Sequence, residues 1–221
     1  LKDNQEQEVP KIYYRVNEWF PDLGPTTLAK LKTYHEELLK FNRTLSLIST
    51  KSVFVADALH FADSINASKA IMDANPGIDK IYDLGSGNGF PGIVMGILYP
   101  KLQVVLVEVD IRKCEFLNHA VSVLGLSNVS VVNKNIESLE DGSVKNAICR
   151  GFANISRTLL LTRKLMPKGA QLFHMKGEEW GMEVSEIPTQ LCSQWSPSLV
   201  GEYKLPVGPT KFAVVKTDKI A

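Results

Sequence analysis

No stretch of this chain is apolar for long enough to cross a bilayer; the longest apolar runs, such as Val104–Val107, are strand-sized. Cysteine is scarce. Its three copies, at 114, 149 and 192, lie too far apart for a zinc knuckle or a C-x-x-C redox pair, and a sparse odd count suits a reducing cytoplasm. The four histidines, at 35, 60, 119 and 174, have no metal-ligand spacing, so no metal site is expected. There is no charged-then-apolar leader, and no G-x-S-x-G elbow to hold a nucleophilic serine. Cys149 sits inside an apolar run with nothing nearby in sequence to activate its thiol. The net charge of +1 exerts no overall pull on a polyanion. The polar opening LKDNQEQEVP is expected to fray, and Leu1 in place of methionine raises the expectation of a few residues upstream.

What remains is an ordinary globular composition, 44% hydrophobic and 22% charged over 221 residues, enough for one substantial core. From Pro10 to about residue 75 the pattern is helical. Leu28, Leu31, Tyr34, Leu38, Phe41 and Leu45 recur at steps of three or four, with Thr26 or Thr27 as the expected N-cap. A second helical run covers about Val53 to Met72, and Asp73-Ala74-Asn75-Pro76-Gly77 marks a seam. The rhythm then changes to short strands alternating with helices. Strands are expected at 81–84, 104–109, 129–132, 145–149 and 170–175, with helices at 91–99, 112–124 and 154–166. Two last strands, Leu199–Leu205 and Phe212–Lys216, flank Pro206-Val207-Gly208-Pro209 as a hairpin. The expected fold is therefore α/β: a helical region over 1–77, then a Rossmann-like core over 78–221 whose mostly parallel sheet ends in an antiparallel hairpin.

The core opens on its most informative stretch. Asp83 ends an apolar strand, glycines follow at 85, 87 and 89, and Pro91 starts a helix. A strand, a glycine turn and a helix in that order cradle a nucleotide cofactor. The dinucleotide fingerprint G-x-G-x-x-G would need its third glycine where Phe90 stands, so a nicotinamide oxidoreductase is disfavoured. The D-x-G-x-G-x-G that is present is similar to the first motif of S-adenosylmethionine-dependent methyltransferases. Glu108, at the end of the next strand, is placed to accept hydrogen bonds from both hydroxyls of an adenosine ribose; an exposed strand-end acid is the plainer alternative. Residues 135–137 follow the third strand, where Ile136 would pack on an adenine and Glu137 or a backbone amide would meet its edge. From Gly142 to Gly177 there is no acidic residue, while Lys145, Arg150, Arg157, Arg163, Lys164, Lys168 and Lys176 supply seven positive charges. That run reads either as solvated helix and strand ends or as a one-signed patch for a phosphate backbone.

Asp83-Leu-Gly-Ser-Gly-Asn-Gly-Phe-Pro-Gly92 resembles the D-[VL]-G-[ST]-G-x-G-[LF]-P-G loop of the bacterial glucose-inhibited division protein B family. Further segments agree in order. Phe41-Asn42-Arg43 is similar to that family's W/F-N-K/R, His60-Phe-Ala-Asp63-Ser64 to H-I-x-D-S, and Arg112-Lys113-x-x-Phe116-Leu117 to K-R-x-x-F-L. Arg150-Gly-Phe152-Ala153 resembles S-R-A-F-A, and Met175-Lys176-Gly177 resembles L-K-G. The resemblance runs from about residue 26 to the end. It departs at Ser46-Leu47-Ile48, where the family has N-L-T, at Cys149 and Gly151 beside the arginine, and at Thr210-Lys211-Phe212, where an arginine is common.

The resemblance implies a class I methyltransferase that modifies N7 of a single guanosine, 527 in standard bacterial numbering, of 16S ribosomal RNA. It implies S-adenosyl-L-methionine as cofactor and S-adenosyl-L-homocysteine as product. Asp83, Gly85, Ser86, Gly87, Phe90, Ile136, Glu137 and Arg150 would hold that cofactor, with Glu108 on its ribose. Asn42, His60, Asp63, Ser64 and Lys176 would line the edge where the guanine enters, and Arg150 and Lys176 would position the reactants. Helix capping or a buried polar tie is the alternative for Asn42 and Asp63, and a solvated strand-end lysine for Lys176. The missing N/D-P-P-Y/F tetrapeptide, which holds exocyclic nitrogens, fits a ring nitrogen that already carries a lone pair and needs no general base. The implied partner is the small ribosomal subunit, without a membrane or a metal; a monomer in the cytoplasm is expected. Two other readings stay open: a small-molecule methyltransferase on the same fold, and a ribosome-assembly factor with an inactive cleft.

Overall fold

The computed structural model describes residues 11–221, so the expected fraying of the opening ten lies outside the described residues. Helix α1 (Val16–Trp19) precedes the long helix α2 (Pro25–Leu45). The expected threonine cap is not used. Pro25 is itself the first helical residue, behind Gly24, because proline has no N–H to satisfy there and its φ is already helical. Leu31, Tyr34 and Leu38 form the buried stripe of α2, as their spacing requires. The second run is less regular than its periodicity suggests. It starts as a 3-10 turn (Val53–Val55), continues as a π-helical turn (Asp57–Ala62) and becomes α3 (Asp63–Ala74).

The sheet follows the predicted alternation. Strands β1 (Lys80–Leu84), β2 (Gln103–Glu108), β3 (Val129–Asn133), β4 (Asn146–Arg150) and β5 (Gln171–Lys176) are mutually parallel. Strand β7 (Lys211–Lys219) runs antiparallel to β5, and β6 (Trp195–Lys204) antiparallel to β7, giving the order 3-2-1-4-5-7-6. A mostly parallel sheet closed by an antiparallel hairpin is the expected class I architecture. Helices α4 (Gly92–Leu98), α5 (Ile111–Val123) and α6 (Ile155–Thr162) cross between strands. Two short helices, α7 (Trp180–Ser185) and α8 (Thr189–Cys192), fill the connection from β5 to β6 that showed no periodic pattern in sequence.

A hydrophobic cluster covers each sheet face. One joins Ile93, Leu106 and Phe116 to Leu31, Tyr34 and Phe61, so the front helices share the core's packing. The other gathers Leu84, Val107, Ala147, Leu159 and Trp195. Because β1, β2 and β4 are parallel and paired, their carboxyl ends Leu84, Glu108 and Arg150 fall on one edge, where ligands of such sheets bind.

Candidate active site

The glycine loop is shaped by backbone that other residues rarely adopt. Gly85, Gly87 and Gly89 have φ of 73°, 55° and 87°. Space reinforces the requirement at Gly89, where a Cβ would stand 2.5 Å from the Tyr34 hydroxyl. At Gly92 a Cβ would collide with Leu106 and Asp83, which is how α4 comes so close to β1 and β2. The Gly92 N–H donates to Asp83 Oδ2 at 3.0 Å, while Asp83 Oδ1 is buried without a partner among the described residues. Burial is the main reason that the Asp83 carboxyl is pushed up to about 7; the Gly92 bond and Arg150 only partly offset it. The Tyr34 hydroxyl donates to the carbonyl of Asn88, whose amide donates to Leu47 O at 3.1 Å, so α2 and its following loop hold the glycine loop from the front.

Glu108 is also fixed. Its Oε2 accepts the Gly87 N–H at 2.7 Å, and its Oε1 accepts those of Val109 and Asp110 at 2.9 Å each. The carboxylate thus faces the cleft as a rigid acceptor. The cleft has a volume of about 630 Å³, within the range of small-molecule and cofactor sites. Gly85, Ser86, Gly87, Phe90, Glu108, Ile136, Glu137 and Arg150 all line it. Asn135 caps the short turn Ile136–Ser138 by accepting the Glu137 N–H at 3.0 Å, which presents Ile136 as an apolar wall. A fixed carboxylate and an apolar wall thus share the cleft, whereas Asp83, expected among the cofactor-binding residues, lies buried beneath the glycine loop and does not line it. Among the described residues, no group of histidine, cysteine and acidic side chains is arranged to hold a metal ion.

Arg150 ties three elements together. Its Nη2 donates to Leu59 O at 2.9 Å and to His60 Nδ1 at 2.8 Å, and its Nε pairs with Asp63 Oδ2 at 3.2 Å. A guanidinium has only donors, so His60 Nδ1 is the acceptor and the ring proton sits on Nε2. Burial, and next Arg150, hold the His60 pKa down at about 3. The imidazole stacks on Phe90 with centroids 5.3 Å apart, and Phe90 stacks on Tyr34 at 5.0 Å. The Tyr203 hydroxyl donates to Asp63 Oδ1 at 2.7 Å, bringing the C-terminal hairpin into the same knot.

The edge residues expected to meet a guanine are placed otherwise than on the cleft wall. Asn42, His60, Asp63, Ser64 and Lys176 do not line it. Asn42 Oδ1 accepts the Ile48 N–H at 2.8 Å, closing the loop after α2. Asp63 and Ser64 are buried, and the Ser64 hydroxyl has no partner among the described residues. The Lys176 ammonium donates to Ala153 O at 2.9 Å and pairs with Glu183 at 2.7 Å. The acid-free segment is dispersed as well. Arg150 and Arg157 reach the cleft, Arg163 and Lys164 flank a smaller neighbouring groove, and Lys145 and Lys168 precede β4 and β5 at the opposite sheet edge. Lys113 and Lys134 complete the positive rim instead. They were missed because they stand on separate connections, although each follows a strand end on the carboxyl edge. Phe152 and Leu47 also line the cleft and were not singled out.

The model of the GidB family, rRNA small subunit methyltransferase G, matches residues 27–199. The chain is 68% identical to ribosomal RNA small subunit methyltransferase G 3 of Bdellovibrio bacteriovorus over the full length of both. It is 33% identical to ribosomal RNA small subunit methyltransferase G of Paracoccus denitrificans, over 71% of this chain and 80% of that one. Among solved structures, MtNAS in complex with MTA and tNA superposes with a TM-score of 0.59 at 14% identity, covering 93% of this chain and 75% of that one. Geranyl diphosphate methyltransferase in complex with SAM gives 0.51 at 13% identity, covering 71% and 85%. At such identities these two structures bear on the fold alone.

Proposed function

The chain belongs to the rRNA small subunit methyltransferase G family, and from the cleft of this family member we propose that it transfers a methyl group from S-adenosylmethionine to N7 of one guanosine in 16S ribosomal RNA. The observation that carries the reading is the cleft at the carboxyl edge, with Glu108 fixed by three backbone N–H groups beside the positive-φ glycine loop. When bound, S-adenosylmethionine supplies a methyl carbon already activated by the sulfonium. Glu108 would take the ribose hydroxyls, Ile136 and Phe90 would flank the purine and the loop, and the Asp83 carboxyl beneath the loop would keep the loop's shape by accepting the Gly92 N–H. Arg150 would stand at the junction of cofactor and base, held there by Asp63 and the π-helical turn.

No residue is assigned to remove a proton. Guanine N7 has a free lone pair. As the carbon–nitrogen bond forms, the carbon–sulfur bond breaks with its electrons passing to sulfur, and the positive charge moves to the base. Holding the two reactants in line can supply up to about 7–11 kcal/mol of such a barrier. Lys113, Lys134 and Arg157 on the rim would meet phosphate oxygens, which position RNA without reading its sequence. The test is to incubate the protein with undermethylated small subunits and methyl-labelled S-adenosylmethionine, then map the label. Label in N7-methylguanine at one position of 16S ribosomal RNA is expected. A folded, cofactor-binding protein that labels no ribosomal guanine contradicts the reading and favours an assembly factor.

A further inference from the structure

The cleft wall contributed by β4 depends on a residue outside the cleft. Past Arg150 the chain turns at Gly151, with φ of 60°, and Phe152 then lies over Gly85. The contact is close enough that a Cβ on Gly85 would stand 2.6 Å from the Phe152 ring. The next three residues are pinned. Ala153 O accepts the Lys176 ammonium at 2.9 Å, Asn154 caps α6 by accepting the Arg157 N–H at 2.9 Å, and the Ile155 N–H donates to Glu183 Oε2 at 2.9 Å. That same Glu183 oxygen takes the Lys176 ammonium at 2.7 Å. One carboxylate oxygen on α7 therefore gathers a strand-end lysine and a helix-start amide, with the Phe152 loop strung between them. The pair is mostly shielded, with side-chain exposures of 13% for Lys176 and 28% for Glu183, so its attraction is screened less than that of a surface pair.

We propose that Glu183 is a positioning residue for cofactor binding: through Lys176 and the Ile155 amide it seats Phe152 against Gly85 and sets the shape of the cleft floor. This rests on the reading of the cleft as an S-adenosylmethionine site. Glu183 itself touches neither the cleft nor any reacting atom. It also gives Lys176 a task other than contact with RNA, because both of the ammonium's hydrogen-bond acceptors lie on the protein.

The test measures S-adenosylhomocysteine affinity by calorimetry in the full chain. Glu183→Ala is expected to weaken binding about tenfold, a loss of about 1.4 kcal/mol. Glu183→Gln keeps an oxygen that can accept the Ile155 N–H, and is expected to recover most of the loss. A double variant with Phe152→Leu is expected to bind no worse than the weaker single variant, because both changes act through one loop. In transfer assays the defect should fall on KM for the cofactor rather than on kcat. A Glu183→Ala protein that melts earlier but binds with wild-type affinity overturns the proposal, as do fully additive losses in the double variant. If Glu183→Ala does not fold, Lys176→Met opens the same tether from its other end; wild-type affinity there overturns the proposal equally. Failure of the wild-type protein to bind removes the cofactor reading itself, whereas normal wild-type binding with unaffected variants removes only the role of Glu183.

Discussion

Arg150 illustrates how one side chain can be both site and scaffold. It lines the cleft, yet its donors hold Leu59, His60 and the buried Asp63. Arg150→Ala is expected to abolish methyl transfer and also to cost about 3 kcal/mol of stability, since Asp63 would keep a buried charge with only Tyr203 to answer it. Adding Asp63→Asn should restore part of the melting temperature and none of the activity; an Arg150→Ala protein with an unchanged melting temperature would contradict the scaffold role. Cys149 shows the opposite case, a reactive group kept inert. The Thr217 hydroxyl donates to Leu172 O at 3.3 Å, so it accepts from His174 Nε2 at 3.0 Å, leaving Nδ1 to accept the Cys149 thiol at 3.5 Å. A thiol can thus stand where the family has a serine, because either group donates one hydrogen. Burial pushes the Cys149 thiol up to about 12. Native protein treated with iodoacetamide should be alkylated at exposed Cys192, with buried Cys114 and Cys149 protected until denaturant is added. Rapid labelling of Cys149 in the native state would show the network to be open.

The loop after α2 carries backbone strain at one departure from the pattern the chain resembles. Ser46 has φ of 48°, the one positive value for a non-glycine among the described residues. The family's asparagine at that place tolerates left-handed backbone better than serine does. Ser46→Gly is therefore expected to raise stability by about 1 kcal/mol, read from urea denaturation, without altering the Asn42 bond to Ile48. No gain, or a loss, would mean that the serine hydroxyl contributes more than the backbone strain costs. Element by element, the strands and crossover helices were legible because period-two and period-3.6 patterns are local. The π-helical turn at Asp57–Ala62 was not. Its pattern is helical, and the widening follows from long-range ties: the Arg15 guanidinium to the buried Asp57 at 2.8 Å, and Arg150 to Leu59 O. Helices α7 and α8 also escaped, since residues 178–194 show no apolar period; Ile187 and Leu191 are the ones buried.

Across the molecule, the residues that line the cleft were more legible in sequence than those packed around it, for a geometric reason. Asp83 through Phe90 and Glu108 stand at consecutive strand ends, whose places the α/β pattern dictates. Asn42, Asp63, Ser64 and Lys176 depend on how the front helices and α7 dock, which no short-range pattern encodes, and none of them lines the cleft. The buried titratable groups also set an acid response. His60 and His174 are each held down at about 3, mainly by burial, so their stabilising contribution is present above pH 6.5 and is lost as pH falls toward 3. Asp83, raised to about 7, acts oppositely: its contribution is full below pH 3.8 and is lost as pH rises through 7. Between pH of about 4 and 6 the two histidines outweigh Asp83, so unfolding takes up protons and these three groups make stability rise with pH before levelling near neutrality. A denaturation free energy that is flat or falling across that window would contradict the assignment.

Everything about the activity turns on which nucleoside the glycine loop and Glu108 accept. Calorimetric titration of the wild-type chain with S-adenosylhomocysteine and, separately, with a reduced nicotinamide dinucleotide tests this directly. The account predicts saturable one-to-one binding of the first, lost in Glu108→Ala, and none of the second. Binding of the dinucleotide alone, or of neither, would contradict it.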